Sequence, residues 1–212
     1  MGNIFDLYTD RYDKWFDENK FAYLTEIKAL EKLIPKGEKG LEIGVGSGRF
    51  AEPLGIQFGI DPSQKMVEIA VKRGIKAIVG EGENLPFKDE EFDYVLLMVT
   101  LCFLDDPEKV IKEARRVIKN DGLIIIGIIN KNSLLGKFYK EEKDSPFYKI
   151  ARFYSPEEVI ELLKKMDLQI FITYQTLFEF PSEMESIEEA EEGYGKGNFV
   201  VIGGKKSELK GH

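Results

Sequence analysis

The stretch Leu41-Glu42-Ile43-Gly44-Val45-Gly46-Ser47-Gly48 decides the fold. An apolar run with one embedded acid turns abruptly into glycine at every second position. The pattern is that of a buried parallel strand ending in a turn whose backbone comes very close to another group. Glycine permits that approach because it has no Cβ and tolerates positive φ. Such a turn also occurs as plain structure, so its weight depends on whether acids stand at the right spacing downstream.

The downstream residues agree. The run Ile56-Gln57-Phe58-Gly59-Ile60 ends in Asp61, and a third run, Ile75 to Val79, precedes Gly80-Glu81-Gly82-Glu83. Ligands of an open parallel sheet gather at the carboxyl ends of its strands, so these three tips should converge on one crevice. An acid at the tip after a glycine turn accepts from ribose hydroxyls. Asp61-Pro62-Ser63 is also good helix-entry chemistry, and capping and ribose binding are compatible roles.

The 212 residues, 43% hydrophobic with 15 Phe, suit a single α/β domain with a sizeable core. No apolar run approaches the ~20 residues that span a bilayer. The segment Met1 to Asp6 lacks the basic and apolar regions of a secretory signal, and Cys102 is the one cysteine, so a reducing cytoplasm is expected, without membrane attachment. One cysteine and one histidine, His212, exclude a Cys/His zinc site, and no metal is expected. A net charge of −8 argues against a nucleic-acid partner, because neutralising phosphates needs a basic face. Charged residues make up 32%, a usage rich in Lys and Glu that resembles thermophile composition.

Along the chain, Phe5, Tyr8, Tyr12, Trp15 and Phe16 recur at helical spacing, and Ala22, Ile27 and Leu30 continue it until Pro35-Lys36-Gly37. Strand-like and helix-like segments then alternate, with helices expected over 63–73 and 107–119. Phe92 to Val99 and Leu123 to Ile129 are continuously apolar, as in a parallel sheet covered on both faces. Residues 131–154 have no obvious structure, and a connection that long is often functional. Ser155-Pro156-Glu157-Glu158 opens a helix with a capping box. Leu168 to Phe178 and Asn198 to Ile202 read as strands flanking an acidic loop or short exposed helix at 182–192.

Four segments resemble the class I S-adenosylmethionine-dependent methyltransferases, in particular the small-molecule branch related to ubiquinone and menaquinone biosynthesis. They are Leu41 to Phe50; Gly59-Ile60-Asp61-Pro62-Ser63; Gly80 to Phe87, continuing to Phe92-Asp93; and Asp106-Pro107 through Glu113, Arg116-Val117-Ile118-Lys119 and Gly122. The resemblance implies a Rossmann-like α/β fold with helices on both faces. Its sheet is seven-stranded and mostly parallel, with the last strand antiparallel between the fifth and sixth. It divides the domain 1–212 into a helical cap (1–37), a cofactor-binding half (38–130) and a substrate-side half (131–212).

The implied cofactor is S-adenosylmethionine, leaving as S-adenosylhomocysteine. Glu42, Gly44, Gly46, Gly48 and Pro62 would belong to its binding site, with the methionine portion beside Gly44 and Gly46, while Asp61 accepts from the ribose hydroxyls and Glu81 and Gly82 meet the adenine, one face of which Met66 covers. Met98 would border the sulfonium. Methyl transfer to a small-molecule acceptor, through an N, S, O or C nucleophile, then needs little besides positioning and water exclusion. Tyr8, Tyr12, Trp15, Thr100 and Tyr139 are the candidate acceptor contacts; the aromatics Tyr8, Tyr12, Trp15, Phe138, Tyr139, Phe153 and Tyr154 would form an apolar lid over a small acceptor such as a cationic amine. No catalytic residue is assigned. Many relatives carry histidine where Cys102 and Phe103 stand, which disfavours an oxygen acceptor needing a histidine base. A monomer or homodimer is expected.

Two other readings carry discriminators. A nicotinamide-dependent oxidoreductase wants glycine three residues after its second glycine, where Arg49 stands. A non-catalytic holder of the same cofactor shares all the binding positions, so turnover alone separates it from an enzyme.

Overall fold

A computed structural model describes residues 3–206. The chain opens with α1 (Ile4–Leu7), α2 (Thr9–Glu18) and α3 (Lys20–Glu31), as the aromatic spacing predicts. Then come β1 (Gly40–Ile43), α4 (Ala51–Leu54), β2 (Phe58–Asp61), α5 (Gln64–Lys72), β3 (Lys76–Val79) and β4 (Phe92–Met98). A 3-10 turn at Leu101–Phe103 leads into α6 (Pro107–Val117), β5 (Ile118–Ile129), α7 (Leu134–Glu141), α8 (Pro156–Lys165), β6 (Leu168–Thr176), β7 (Glu191–Glu192) and β8 (Phe199–Lys206). Among the described residues no helix is long and apolar enough to cross a membrane.

All strands join one sheet in the order β3-β2-β1-β4-β5-β8-β6-β7. The first five are mutually parallel, and β8 runs antiparallel between β5 and β6. The continuous apolar runs have the expected cause. Along β4 and β5, Tyr94, Leu96, Met98 and Ile125 pack into a core beneath α2 and α3, while Val95, Leu97, Ile124 and Ile126 pack into one beneath α6 and α8. Burying each such side chain contributes roughly 1.5–3 kcal/mol.

Three expectations need correction. The sheet has eight strands rather than seven, because Glu191 and Glu192 pair with Gln175 and Tyr174 on the outer edge of β6. Helix α6 ends at Val117 and β5 starts at Ile118, which pairs with Phe92; the chain recovers register through Asp121, at φ 64°, and Gly122. The 131–154 connection contains α7, capped by the Ser133 side chain accepting from the Gly136 N–H. The acidic 182–192 segment is a largely exposed loop, as expected, anchored where Glu188 accepts from the N–H groups of Phe178 and Glu179 and its own N–H donates to Thr25 on α3. The capping box at Ser155 and Glu158 forms as expected.

Candidate active site

Strand register brings the three tips together. Ile43 pairs with Ile60, Asp61 pairs with Val79, and the Gly44 N–H donates to the Ile60 carbonyl at 2.8 Å. Asp61 accepts from the Gly46 N–H through one oxygen and from the Ser63 N–H through the other, both at 2.9 Å. Each oxygen keeps a lone pair for a further donor. Burial raises the Asp61 carboxyl above its ordinary range, against the pull of those two N–H groups. Glu42, beneath the turn, is buried with its Oε2 unpartnered, and burial plus the Asp61 charge push it well above the usual carboxylate range.

The neighbouring positions show why small residues stand in the turn. A Cβ on Gly44 would collide with Thr100, whose hydroxyl donates at 3.1 Å to the Ile43 carbonyl. Thr100 is aimed there by Val99, a β-branched residue at φ 49°. Such strain costs about 1–3 kcal/mol and persists where surrounding structure over-determines it. Gly48 packs against Ala70 of α5, and Gly82 against Ile43 and Val110. Met66 is fully buried, and Met98 is buried beside Gly127 and Phe199. Pro62 and Glu81 are exposed at the rim.

The N-terminal helices close over this crevice. The Tyr12 hydroxyl lies 3.2 Å from where a Cβ on Gly46 would stand, so the ring fills the space in front of the turn. Asp6 accepts from the Ser63 hydroxyl at 2.5 Å and the Lys65 N–H at 3.2 Å, at the entry of α5. Asp13 accepts from Ser47 at 2.6 Å, from Arg49 at 2.7 Å and from Arg73 at 2.9 Å. Although partial burial pushes its carboxyl up, the two guanidinium groups hold it well below the usual range. Tyr8 is largely exposed against Phe147, and Trp15 packs edge-on to Phe16.

Beyond the glycine turn, towards α7, the walls are aromatic. Tyr139 stacks on Tyr148 with centroids 4.1 Å apart, and Phe153 lies 6.2 Å from Tyr148. A cavity of about 10 Å³, room for one water, remains between Cys102, Phe153, Tyr154 and the tips of β4 and β5. Burial pushes the Cys102 thiol up to about 12, so it is an inert core group. His212 lies outside the described residues.

One buried acid escaped the sequence reading. Glu26, on α3, is only 3% exposed. A signal was present, since it falls four residues after Ala22 and four before Leu30, on the apolar stripe of its helix.

These residues suit a nucleoside carrying an amino-acid tail. The turn carries no side chain at Gly46, so only the Tyr12 ring stands over its backbone; Asp61 has acceptor capacity left, and Glu42 holds an unpartnered buried oxygen. The parallel sheet with its antiparallel β8 and the glycine turn define the class as a Rossmann-like methyltransferase fold. A family model described as a methyltransferase domain matches residues 41–126. An uncharacterized protein of Methanocaldococcus jannaschii is 53% identical over 96% of this chain and 99% of its own. The crystal structure of an S-adenosylmethionine-dependent methyltransferase of Thermotoga maritima, given as a possible histamine N-methyltransferase, superposes with a TM-score of 0.93. It is 49% identical over 96% of this chain and 98% of its own. A demethylmenaquinone methyltransferase of Thermotoga maritima is 29% identical over 82% of this chain and 90% of its own. The chain belongs to the class I S-adenosylmethionine-dependent methyltransferases, and S-adenosylmethionine is its cofactor.

Proposed function

We propose that this protein transfers the methyl group of S-adenosylmethionine to a small-molecule acceptor held between the N-terminal helices and the α7 region. The observation that carries this reading is the closed aromatic wall beside the Asp61–Gly46 junction. Tyr12 covers the glycine turn, and Tyr139, Tyr148 and Phe153 line the side towards α7. Rings packed that closely suit a small acceptor, and the charge of −8 repels nucleic acid.

The cofactor, when bound, supplies an electrophilic methyl on a sulfonium. The chain's own part is to bind, orient and keep out water. Asp61 accepts from ribose hydroxyls with its remaining lone pairs, and Glu81 and Gly82 adjoin the adenine at the rim. Pro62 and Met66 flank the nucleoside, while Glu42, Gly44, Gly46, Gly48 and Met98 surround the tail and reacting end. Tyr8, Tyr12, Trp15, Thr100 and Tyr139 serve the acceptor. Because Tyr12 and Asp6 occupy the crevice mouth, α1 and α2 open to admit ligands and close to exclude solvent.

The test is methyl transfer from labelled S-adenosylmethionine to a panel of small amines, histamine among them, with thiols, phenols and carboxylates, and in parallel to RNA and protein. Label in at least one small acceptor is expected. Label confined to RNA or protein would overturn the small-molecule reading, and tight cofactor binding with no transfer to anything would favour the non-catalytic holder.

A further inference from the structure

One edge of the sheet is paired by none of the described residues. In the strand order β3 stands at one end, whereas the other end is finished by the short β7. The Lys76 N–H donates to the Gln57 carbonyl at 2.9 Å and the Gly80 N–H to the Asp61 carbonyl at 3.1 Å. Alternate residues of a strand turn their backbone to the same side. Lys76, Ile78 and Gly80 therefore face β2, while Ala77 and Val79 aim their N–H and C=O groups outward. The side chains along this edge are bare as well. Ile78 is 38% exposed, Val79 49%, and Val71 on the adjoining α5 51%. On the Ile78 face the cause is topological, because the connection from β3 to β4 contains no helix to lie over it. Outward amide groups beside apolar side chains are a template for a further strand.

The charges along the edge select which strand that is. Lys72 and Lys76 stand at and before its start, and Glu81 and Glu83 just past its end. Among the described residues none of these four takes part in an ion pair. An edge that is basic at one end and acidic at the other is complementary to itself when reversed.

We propose that β3 pairs antiparallel with β3 of a second copy of this chain across a two-fold axis, joining the two sheets into one. The outward backbone groups fix the register. Setting Ala77 opposite Val79 of the second copy lets those residues exchange both of their hydrogen bonds, and the symmetry repeats the exchange across the axis. Ile78 then meets Ile78 of the second copy on the axis, in the close pairing where side chains touch. In the same register Lys76 lies beside Glu81 of the second copy and Lys72 beside Glu83. A parallel arrangement sets lysine against lysine and glutamate against glutamate, which is unfavourable. The proposal rests on the edge alone and does not depend on the methyl-transfer reading.

The experiment is sedimentation velocity on the whole chain at roughly 10–100 μM, a range in which interfaces of modest size associate. The natural protein should run as a dimer. Ala77→Pro removes an outward N–H and no bond to β2, so it should keep its melting temperature and weaken dimerisation about tenfold or more. Two charge-reversed variants, one with Lys72→Glu and Lys76→Glu, the other with Glu81→Lys and Glu83→Lys, should each be monomeric. Mixed together they should form a heterodimer, because opposite signs meet again at every position. That mixture decides the matter if the proline variant fails to fold. A monomeric natural protein would overturn the proposal, even if another protein took the edge. So would a dimer that survives in folded Ala77→Pro, charge-reversed variants that dimerise alone as readily as the natural chain, or a mixture that stays monomeric.

Discussion

Asp61 holds the Gly46 N–H at 2.9 Å, so the acid ending β2 and the glycine turn ending β1 form one unit. The bond is charge-assisted and buried, and it positions the turn and the carboxylate together. Any change at one residue is felt at the other.

Asp61→Ala removes two N–H acceptors and the proposed ribose contact. Hydrogen bonds to a charged group contribute roughly 1.5–3 kcal/mol each. Cofactor affinity measured by calorimetry should fall about tenfold to a hundredfold, and the melting temperature should fall as well. An unchanged dissociation constant would contradict the ribose assignment.

Gly46→Val meets two obstacles: the residue sits at φ 52°, and the new side chain runs into the Tyr12 hydroxyl. A β-branched residue in that conformation costs on the order of 1–3 kcal/mol. The variant should fold with reduced stability and bind no cofactor. Normal binding would mean the turn does not face the cofactor.

Asp13→Asn weakens the tie between α2 and the pair Arg49 and Arg73. Losing charge-assisted bonds there should cost roughly 1–3 kcal/mol. If α1 and α2 gate the crevice, stopped-flow cofactor association should accelerate and limited proteolysis near residues 8–19 should increase. Identical association rates would place the gate elsewhere.

Glu26 makes stability depend on pH in a definite direction. Its folded pKa of about 8 stands above the ordinary 4.5. Between those values the native chain holds a proton that the unfolded chain has released, so stability is full below pH 4.5 and is lost as pH rises through about 8. In Glu26→Gln that term is absent. The gap between variant and natural melting temperatures should therefore move in the variant's favour from pH 5 to pH 8.5. Parallel curves would show that Glu26 is not buried in the way described.

The five parallel strands, α6, the capping box of α8 and the meeting of Gly46, Asp61 and the Gly80 turn were legible in the residues, because apolar period, glycine placement and capping chemistry are local properties. Helix α7 was not: its Gly136, two lysines and aromatic residues give no clean stripe, and the element exists because Leu135 and Tyr139 find a core to bury in. The two-residue β7 was equally invisible, since it is defined by its partner β6 alone.

The sequence by itself therefore determined the class of fold and the line of tips where a cofactor belongs. Only the tertiary structure decided that Tyr12 lies on Gly46, that Asp13 joins two arginines from different elements, and that Glu26 of α3 is buried. Strand-forming runs and glycine turns are set by neighbours in the chain. A buried charge owes its meaning to groups distant in the chain, and packing alone brings those groups together.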